Sequence, residues 1–149
     1  MLKTRLNNRG LTLMELLAVI VILGIIAAIA IPSVLKVIND MRDRAFVANA
    51  WNMKEATDFY IKEATTSGNG AKERITYLEL VESGYLGTFS DPDTDEELTP
   101  SENSYVTIQN NVAIAVCLKG SERKLCTDEN GAEQAIQYKD LTPTQIVSN

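Results

Sequence analysis

Histidine is absent from all 149 residues. Its absence removes Ser-His-Asp and Cys-His nucleophilic chemistry together with imidazole metal sites. Carboxylates and lysines remain available, but the sequence groups none of them into a catalytic constellation. Neither an enzyme nor a cofactor is expected. Basic residues are also scarce, with 14 Lys and Arg against 20 Asp and Glu and a formal net charge of −6. Binding a phosphate backbone depends on cations that release its counterions, so no nucleic-acid partner is expected of so acidic a chain. The length suits one modest domain plus one further element. The hydrophobic fraction of 45% is ordinary, but its distribution is not. Apolar residues crowd into the first quarter, and the remainder reads as a polar, acidic domain.

The first ten residues, MLKTRLNNRG, carry Lys3, Arg5 and Arg9 and no acid. From Leu16 to Leu35 there is no charge, a run of about 20 residues that as a helix spans roughly 30 Å, the thickness of a bilayer core. A helix apolar on all sides does not suit the interior of a domain this small, so a transmembrane segment at about 16–35 is expected. Lys36, Arg42 and Arg44 follow the span, and the positive-inside count across it is close to a tie. Glu15 sits at the membrane edge, where an ionisable group costs up to a few kcal/mol and calls for a partner or for hydration.

Three readings of this segment compete. An export signal peptide has the basic start, the apolar stretch and the small-x-small site Ala28-Ile29-Ala30, but Glu15 falls inside its apolar region and the helical pattern runs on past the cut. A plain membrane anchor is the second. The third takes Gly10, Thr12 and Glu15 together. Arg9-Gly10-Leu11-Thr12-Leu13-Met14-Glu15-Leu16-Leu17 resembles the cleavage and methylation signature of type IV prepilins and pseudopilins. In that signature a short basic leader ends in Gly and is followed by an apolar residue, Thr, two more apolar residues and Glu, then a long apolar helix. The resemblance covers about Arg9 to Pro32 and departs from the commonest pattern at Leu11, where Phe is usual.

The resemblance implies roles. Residues 1–10 are a leader removed after Gly10 by a prepilin peptidase, and Leu11 becomes an N-methylated terminus. Glu15 pairs with the terminal amine of a neighbouring subunit, which gives register because a misplaced subunit strands a buried carboxylate. Gly24 costs about 1 kcal/mol in a helix interior, and Pro32 removes a backbone bond and is expected to kink or break the helix. The resemblance makes this stretch the part that bends or melts on assembly.

Beyond the span, Lys36 to about Thr65 has no Gly or Pro and is expected to be helical, extending one element over 11–65. Val34, Ile38, Met41, Ala45, Ala48, Asn52, Ala56 and Phe59 fall near 3.6 spacing and are expected to pack on the C-terminal domain, with Trp51 and Tyr60 as further packing residues. Thr66-Ser67-Gly68-Asn69-Gly70 is a loop signal. The domain 66–149 follows. Thr76 to Glu79 is a capping box for a short helix that Gly84 closes, with Tyr85 and Leu86 tucked into the core. Ser104–Ile108 and Val112–Leu118 read as a hairpin turned at Asn110-Asn111, with a third strand near Ala135–Tyr138. The expected fold class is α+β: a long N-terminal helix packed on a small antiparallel sheet, which is also the architecture the resemblance implies.

Cys117 and Cys126 flank a polar loop containing Gly120. An even pair close in sequence on an exported domain reads as a disulfide, with two reduced thiols as the rival. A zinc site would want four ligands. The resemblance favours the disulfide, since a disulfide-bounded loop near the C-terminus recurs in pilins. A disulfide also favours placing the domain outside the membrane. Asp91, Asp93, Asp95 and Glu102 match the first, third, fifth and twelfth ligand positions of a calcium loop. The required Gly is Glu96, however, and Pro92 and Pro100 stiffen the loop, so a solvated acidic turn is the stronger reading and no metal is expected.

Together these features predict a structural filament subunit that is a single-pass cytoplasmic-membrane precursor with its domain outside. Its partners would be membrane lipid, the prepilin peptidase, an assembly machine and copies of itself. Its destination would be a cell-surface filament or, as the alternative, the periplasmic or cell-wall pseudopilus of a type II secretion or competence DNA-uptake system.

Overall fold

A computed structural model describes residues 12–129 and 132–149. The first element, α1, is a 54-residue helix over Leu13–Thr66. It passes through Gly24 and Pro32 without a break. The expected interruption at Pro32 is therefore absent: the ring removes one backbone bond among many, a loss that long apolar helices tolerate. The helix ends where glycine allows the chain to reverse, with Gly68 at φ 75° and the amides of Ser67 and Asn69 bonded back to Glu63 and Ala64.

The chain divides into two compact units, one ending at Asn39 and one beginning at Asp40. In the first, every described residue is exposed. The second contains the latter part of α1 and everything after it. There α1 buries Phe46, Val47, Ala50, Met53, Ala56, Thr57 and Ile61, a stripe at the i, i+3, i+4 spacing of one helical face. Thr57 is tolerated in this stripe because its hydroxyl donates to the Met53 carbonyl at 2.7 Å. Burying side chains such as Phe46 and Met53 is worth about 1.5–3 kcal/mol each.

This face differs from the expected one. Of the eight positions expected to face the sheet, only Ala56 is buried; Met41 is 64% and Phe59 62% exposed, and Ala45, Ala48 and Asn52 lie open as well. Apolar residues at two faces of one helix give two acceptable stripes in periodicity. The face bearing Phe46 and Met53 is the one that packs, although the open face carries a Phe and a Met as well. Trp51 and Tyr60 do pack, against Tyr138 and Tyr85 at ring separations of 5.2 and 5.9 Å, although Trp51 stays 41% exposed.

Strand β1 (Arg74–Thr76) leads into helix α2 (Tyr77–Glu82). The expected capping box is formed: Thr76 accepts from the Glu79 amide, and the Glu79 carboxylate accepts from the Thr76 amide. Gly84, at φ 77°, ends the helix, and Tyr85 and Leu86 pack on the core. Strands β2 (Tyr105–Gln109) and β3 (Val112–Lys119) form the expected hairpin. Its turn places Asn110 and Asn111 at φ 52° and 60°, the left-handed pair that a two-residue hairpin needs and that Asn accepts at low cost. Then come β4 (Arg123–Leu125), β5 (Thr127–Glu129), β6 (Ala132–Gln134), β7 (Ile136–Gln137) and β8 (Val147–Ser148).

The main sheet runs β1-β2-β3-β4-β8 in antiparallel order, and β7 pairs with β3 beside β4. The expected third strand is this β7, shorter than anticipated because Tyr138 already begins a 3-10 turn. Strand β3 is the centre: it pairs with β2 on one side and with β4 and β7 on the other. Its residues Ala115 to Leu118 are buried consecutively, as expected of a strand covered on both faces. Cys117 and Cys126 are joined in a disulfide with a sequence separation of 9, resolving the cysteine alternatives in favour of the bond. It closes the β3–β4 hairpin beside the paired Leu118 and Leu125.

Gly120 sits in the turn of that hairpin, closely surrounded. A Cβ there would meet the Phe46 ring at 2.9 Å and the Arg123 carbonyl and Asp91 carboxylate at 3.2 Å. Gly120→Ala is therefore expected to destabilise the folded protein by about 1–3 kcal/mol through overpacking. Gly87→Ala, with nothing within 4 Å, should leave stability within about 0.5 kcal/mol. Urea denaturation of the two full-length variants in detergent measures the contrast. Cys117→Ala/Cys126→Ala should lower stability by about 2.5–3 kcal/mol in the same measurement, the value of closing a loop of this size.

Candidate functional site

Glu15 is the first acid of α1 and lies in its opening turn, where the helix N-terminus favours negative charge. The carboxylate does not stand alone. Its Oε2 accepts from the Thr12 amide at 2.8 Å and from the Thr12 hydroxyl at 3.0 Å. The Glu15 amide in turn donates to Thr12 Oγ1 at 3.3 Å. This reciprocal pair is a second capping box, T-x-x-E, equivalent to Thr76–Glu79. The residue pattern was visible in the sequence, so Thr12 had a readable structural role beyond its place in the motif. The box starts the helix at Leu13 and turns the carboxylate back onto Thr12. Gly10 and Leu11, the expected cleavage and methylation positions, lie outside the described residues.

After Glu15, the helix presents apolar side chains on every side. Leu16, Ile20, Leu23, Ile26 and Ile31 are all 56–58% exposed, and none of the most apolar window is buried within the protein. The helix is long and apolar enough to cross a membrane. Gly24 has nothing within 4 Å of where a Cβ would stand, so no contact inside the described protein requires a glycine there.

The acidic loop is organised differently from a metal loop. Asp91 is 1% exposed. Its Oδ1 accepts from the Asp93 amide at 2.9 Å and its Oδ2 from the Ser121 amide at 2.8 Å and from the Ser121 hydroxyl. The Arg123 guanidinium forks onto Asp93, with Nε on Oδ2 at 2.6 Å, and reaches Asp43 on α1 through Nη1. Arg42 adds a longer contact to Asp93 at 3.8 Å. Asp95 instead turns the chain at φ 57°, and Glu102 contributes its carbonyl to Arg74. Among the described residues no three acids gather as a cation site would require. The loop is a clasp that ties the β3–β4 hairpin to α1. Only the tertiary fold brings Asp43, Asp93 and Arg123 together, so no spacing in the sequence announced it.

Burial acts to raise the Asp91 pKa, but the Ser121 and Asp93 hydrogen bonds and the nearby Arg123 outweigh it and hold the carboxyl below its ordinary value. A carboxyl depressed in the folded state contributes stability above its unfolded pKa of about 3.9, and loses it as pH falls through the folded value. The urea midpoint should therefore drop as pH is lowered from about 5 to 3, and Asp91→Asn should flatten that dependence. Arg123→Gln leaves the nearly buried Asp93 with only the longer Arg42 contact and should cost up to about 3–5 kcal/mol at neutral pH.

No curated protein and no solved structure matches the chain. Residues 5–31 match the family model described as the prokaryotic N-terminal methylation motif. That segment spans the basic leader, Gly10, Leu11, the Thr12–Glu15 box and the apolar helix as far as Ile31. The chain thus carries the N-terminal methylation signature shared by type IV prepilins and pseudopilins, on an α+β fold of one long helix and a small antiparallel sheet.

Proposed function

We propose that this protein is a structural subunit of a type IV pilus-like filament. A membrane-bound precursor is cleaved after Gly10 by a prepilin peptidase and N-methylated at Leu11, and it polymerises through its apolar helix under an assembly machine. The observation that carries this reading is the apolar helix itself. Nothing among the described residues buries it, and it begins at a carboxylate set within the methylation motif.

Lipid covers the span before assembly, and copies of the same helix cover it afterwards. The disulfide supports an exported domain, because such bonds persist in oxidising compartments. In the precursor, Glu15 is held by Thr12. Cleavage at Gly10 would leave a new amine one residue before that box, and assembly would offer Glu15 a neighbour's amine. A charge pair of this kind is favourable in an apolar interior only when both partners are present. Gly24, whose missing side chain serves no contact in the subunit, would allow neighbouring helices to approach closely. Pro32, with one helical bond missing, marks where α1 would yield on assembly. The polar, acidic C-terminal unit would face outward and catalyse nothing.

A pseudopilin of a type II secretion or competence system shares the same signature, and only the destination of the filament separates the two. Intact mass and N-terminal sequencing of protein from its own cells should find a chain beginning at Leu11 and one methyl group heavier than its sequence. A start at Ile31 or an intact Met1 would reject the proposal. Glu15→Ala should insert normally yet lose filament assembly. Filaments on intact cells mark a pilus; secretion or DNA uptake lost on deletion, with no surface filaments, marks a pseudopilus.

A further inference from the structure

The link between α1 and β1 holds an asparagine and a glycine in sequence, Asn69 and Gly70. It runs between the end of α1 at Thr66 and the start of β1 at Arg74, and both residues are exposed. Neither a helix nor a strand ladder fixes the peptide bond that joins them. The Asn69 amide donates to the Ala64 carbonyl at 3.0 Å. The Asn69 carboxamide, however, has no hydrogen-bond partner among the described residues, and neither has the Gly70 amide. A Cβ at position 70 would have nothing within 4 Å, so the space beside the Gly70 nitrogen is open.

An amide nitrogen with no hydrogen bond to give up, and no side chain on its own Cα to crowd it, can reach the carboxamide carbon of the asparagine before it. The Gly70 nitrogen passes its proton to water and adds to Asn69 Cγ. The N–Cγ bond forms, the Cγ–Nδ2 bond breaks, and Nδ2 takes a proton from water and leaves as ammonia. The resulting succinimide then adds one water at either of its carbonyl carbons. Opening at one carbon gives an aspartate at position 69, and opening at the other gives isoaspartate, whose main chain runs through Cγ. No electrons are exchanged; the chain loses ammonia and gains water. The other described asparagines lack this freedom. Asn39, Asn49 and Asn52 lie within α1, where the following amide is tied to the carbonyl four residues back. Asn103 precedes Ser104, which is 1% exposed. Asn110 and Asn111 are followed by a second Asn and by the branched Val112, whose side chains crowd the nitrogen that would attack. Asn149 bonds its carboxamide to the Gly120 carbonyl.

We infer that Asn69-Gly70 is a self-modification site, at which the folded chain converts Asn69 to aspartate and isoaspartate with water as the only co-reactant. The inference stands apart from the filament reading. The product places a new negative charge on the link between α1 and β1. The Asn69 amide bond to Ala64 lies before the altered linkage, so the end of α1 is kept. The added main-chain methylene of isoaspartate falls in an exposed loop outside every strand, where insertions are tolerated. The lost ammonia is not regained, so the extent of conversion records the age of the folded chain.

The test follows the full-length protein in detergent, kept warm in mildly alkaline buffer and digested with trypsin at intervals from zero time. Cleavage after Lys62 and Lys72 releases residues 63–72, EATTSGNGAK, a peptide with a single asparagine. The other Asn-Gly pair of the sequence, Asn130-Gly131, falls in a separate peptide, residues 125–139. The 63–72 peptide should gain one mass unit with time, and fragmentation should find aspartate and isoaspartate at position 69. Asn69→Gln should abolish the change. Gly70→Ala should slow it at least about tenfold, ~1.4 kcal/mol of added barrier. The same protein unfolded in guanidinium is the reference for the structural argument. Conversion at Asn69 should be no more than about fivefold slower in the folded chain, ~1 kcal/mol of protection, and faster there than at any other described asparagine. Stronger protection of Asn69 by the fold, a lesser effect of Gly70→Ala, or earlier conversion at Asn103 or Asn110 overturns the inference.

Discussion

Apolar surface that the protein cannot cover is the constraint on which everything else depends. A buried Leu, Ile or Val is worth about 1.5–3 kcal/mol, so the exposed run from Leu13 to Leu35 represents tens of kcal/mol of unmet burial. A domain of this size is stable by only about 5–15 kcal/mol. No rearrangement of the C-terminal unit could absorb such a surface, and none is seen: the window is wholly exposed. In the proposed reading a second medium covers this surface, lipid at first and copies of the chain later. The Thr12–Glu15 box fits that situation, since it supplies hydrogen bonds to a carboxylate that would otherwise enter the membrane edge with none.

The soluble half of α1 repeats the problem on a smaller scale. One side of the helix is consumed by the sheet through Phe46, Ala50 and Met53, all fully buried. The other side retains Met41 and Phe59 at the surface. A helix with two apolar faces and a domain against only one of them has a surface left for another molecule, and exposed apolar area of this sort commonly marks contact sites. The proposed filament reading rests on the same fact.

Attachment of the hairpin to the helix rests on polar groups as much as on the core. Arg123 joins Asp93 and Asp43, Asp91 gathers the Ser121 and Asp93 amides, and Gly120 leaves room for Phe46 beside them. The disulfide closes the same hairpin from its other side. Force applied along a filament would pass through these contacts, so the covalent bond and the ion pairs stand where the domain is held to its helix. Two of the four acids that suggest a calcium loop in the sequence, Asp91 and Asp93, are spent on this internal task.

Much was legible in the residues themselves. Local patterns with fixed spacing carried over intact: the uncharged run, the Thr76 capping box, the Asn110-Asn111 turn and the paired cysteines. So did the α+β class and the methylation motif, because each depends on neighbours along the chain. The short strands β1, β4, β5, β6 and β8 were not visible, since two or three residues hold too little periodicity and owe their form to pairing partners. The choice between the two apolar faces of α1 was also closed to the sequence. Both satisfy helical spacing and both carry a Phe and a Met, so only the partners that the tertiary fold brings against the helix decide which is buried. The sequence by itself determined that this chain carries a helix long and apolar enough to cross a membrane, beginning at a methylation signature, because hydropathy and capping are local. Tertiary structure alone decided which side of that helix remains open and which acids meet Arg123, because both depend on residues brought together from distant parts of the chain.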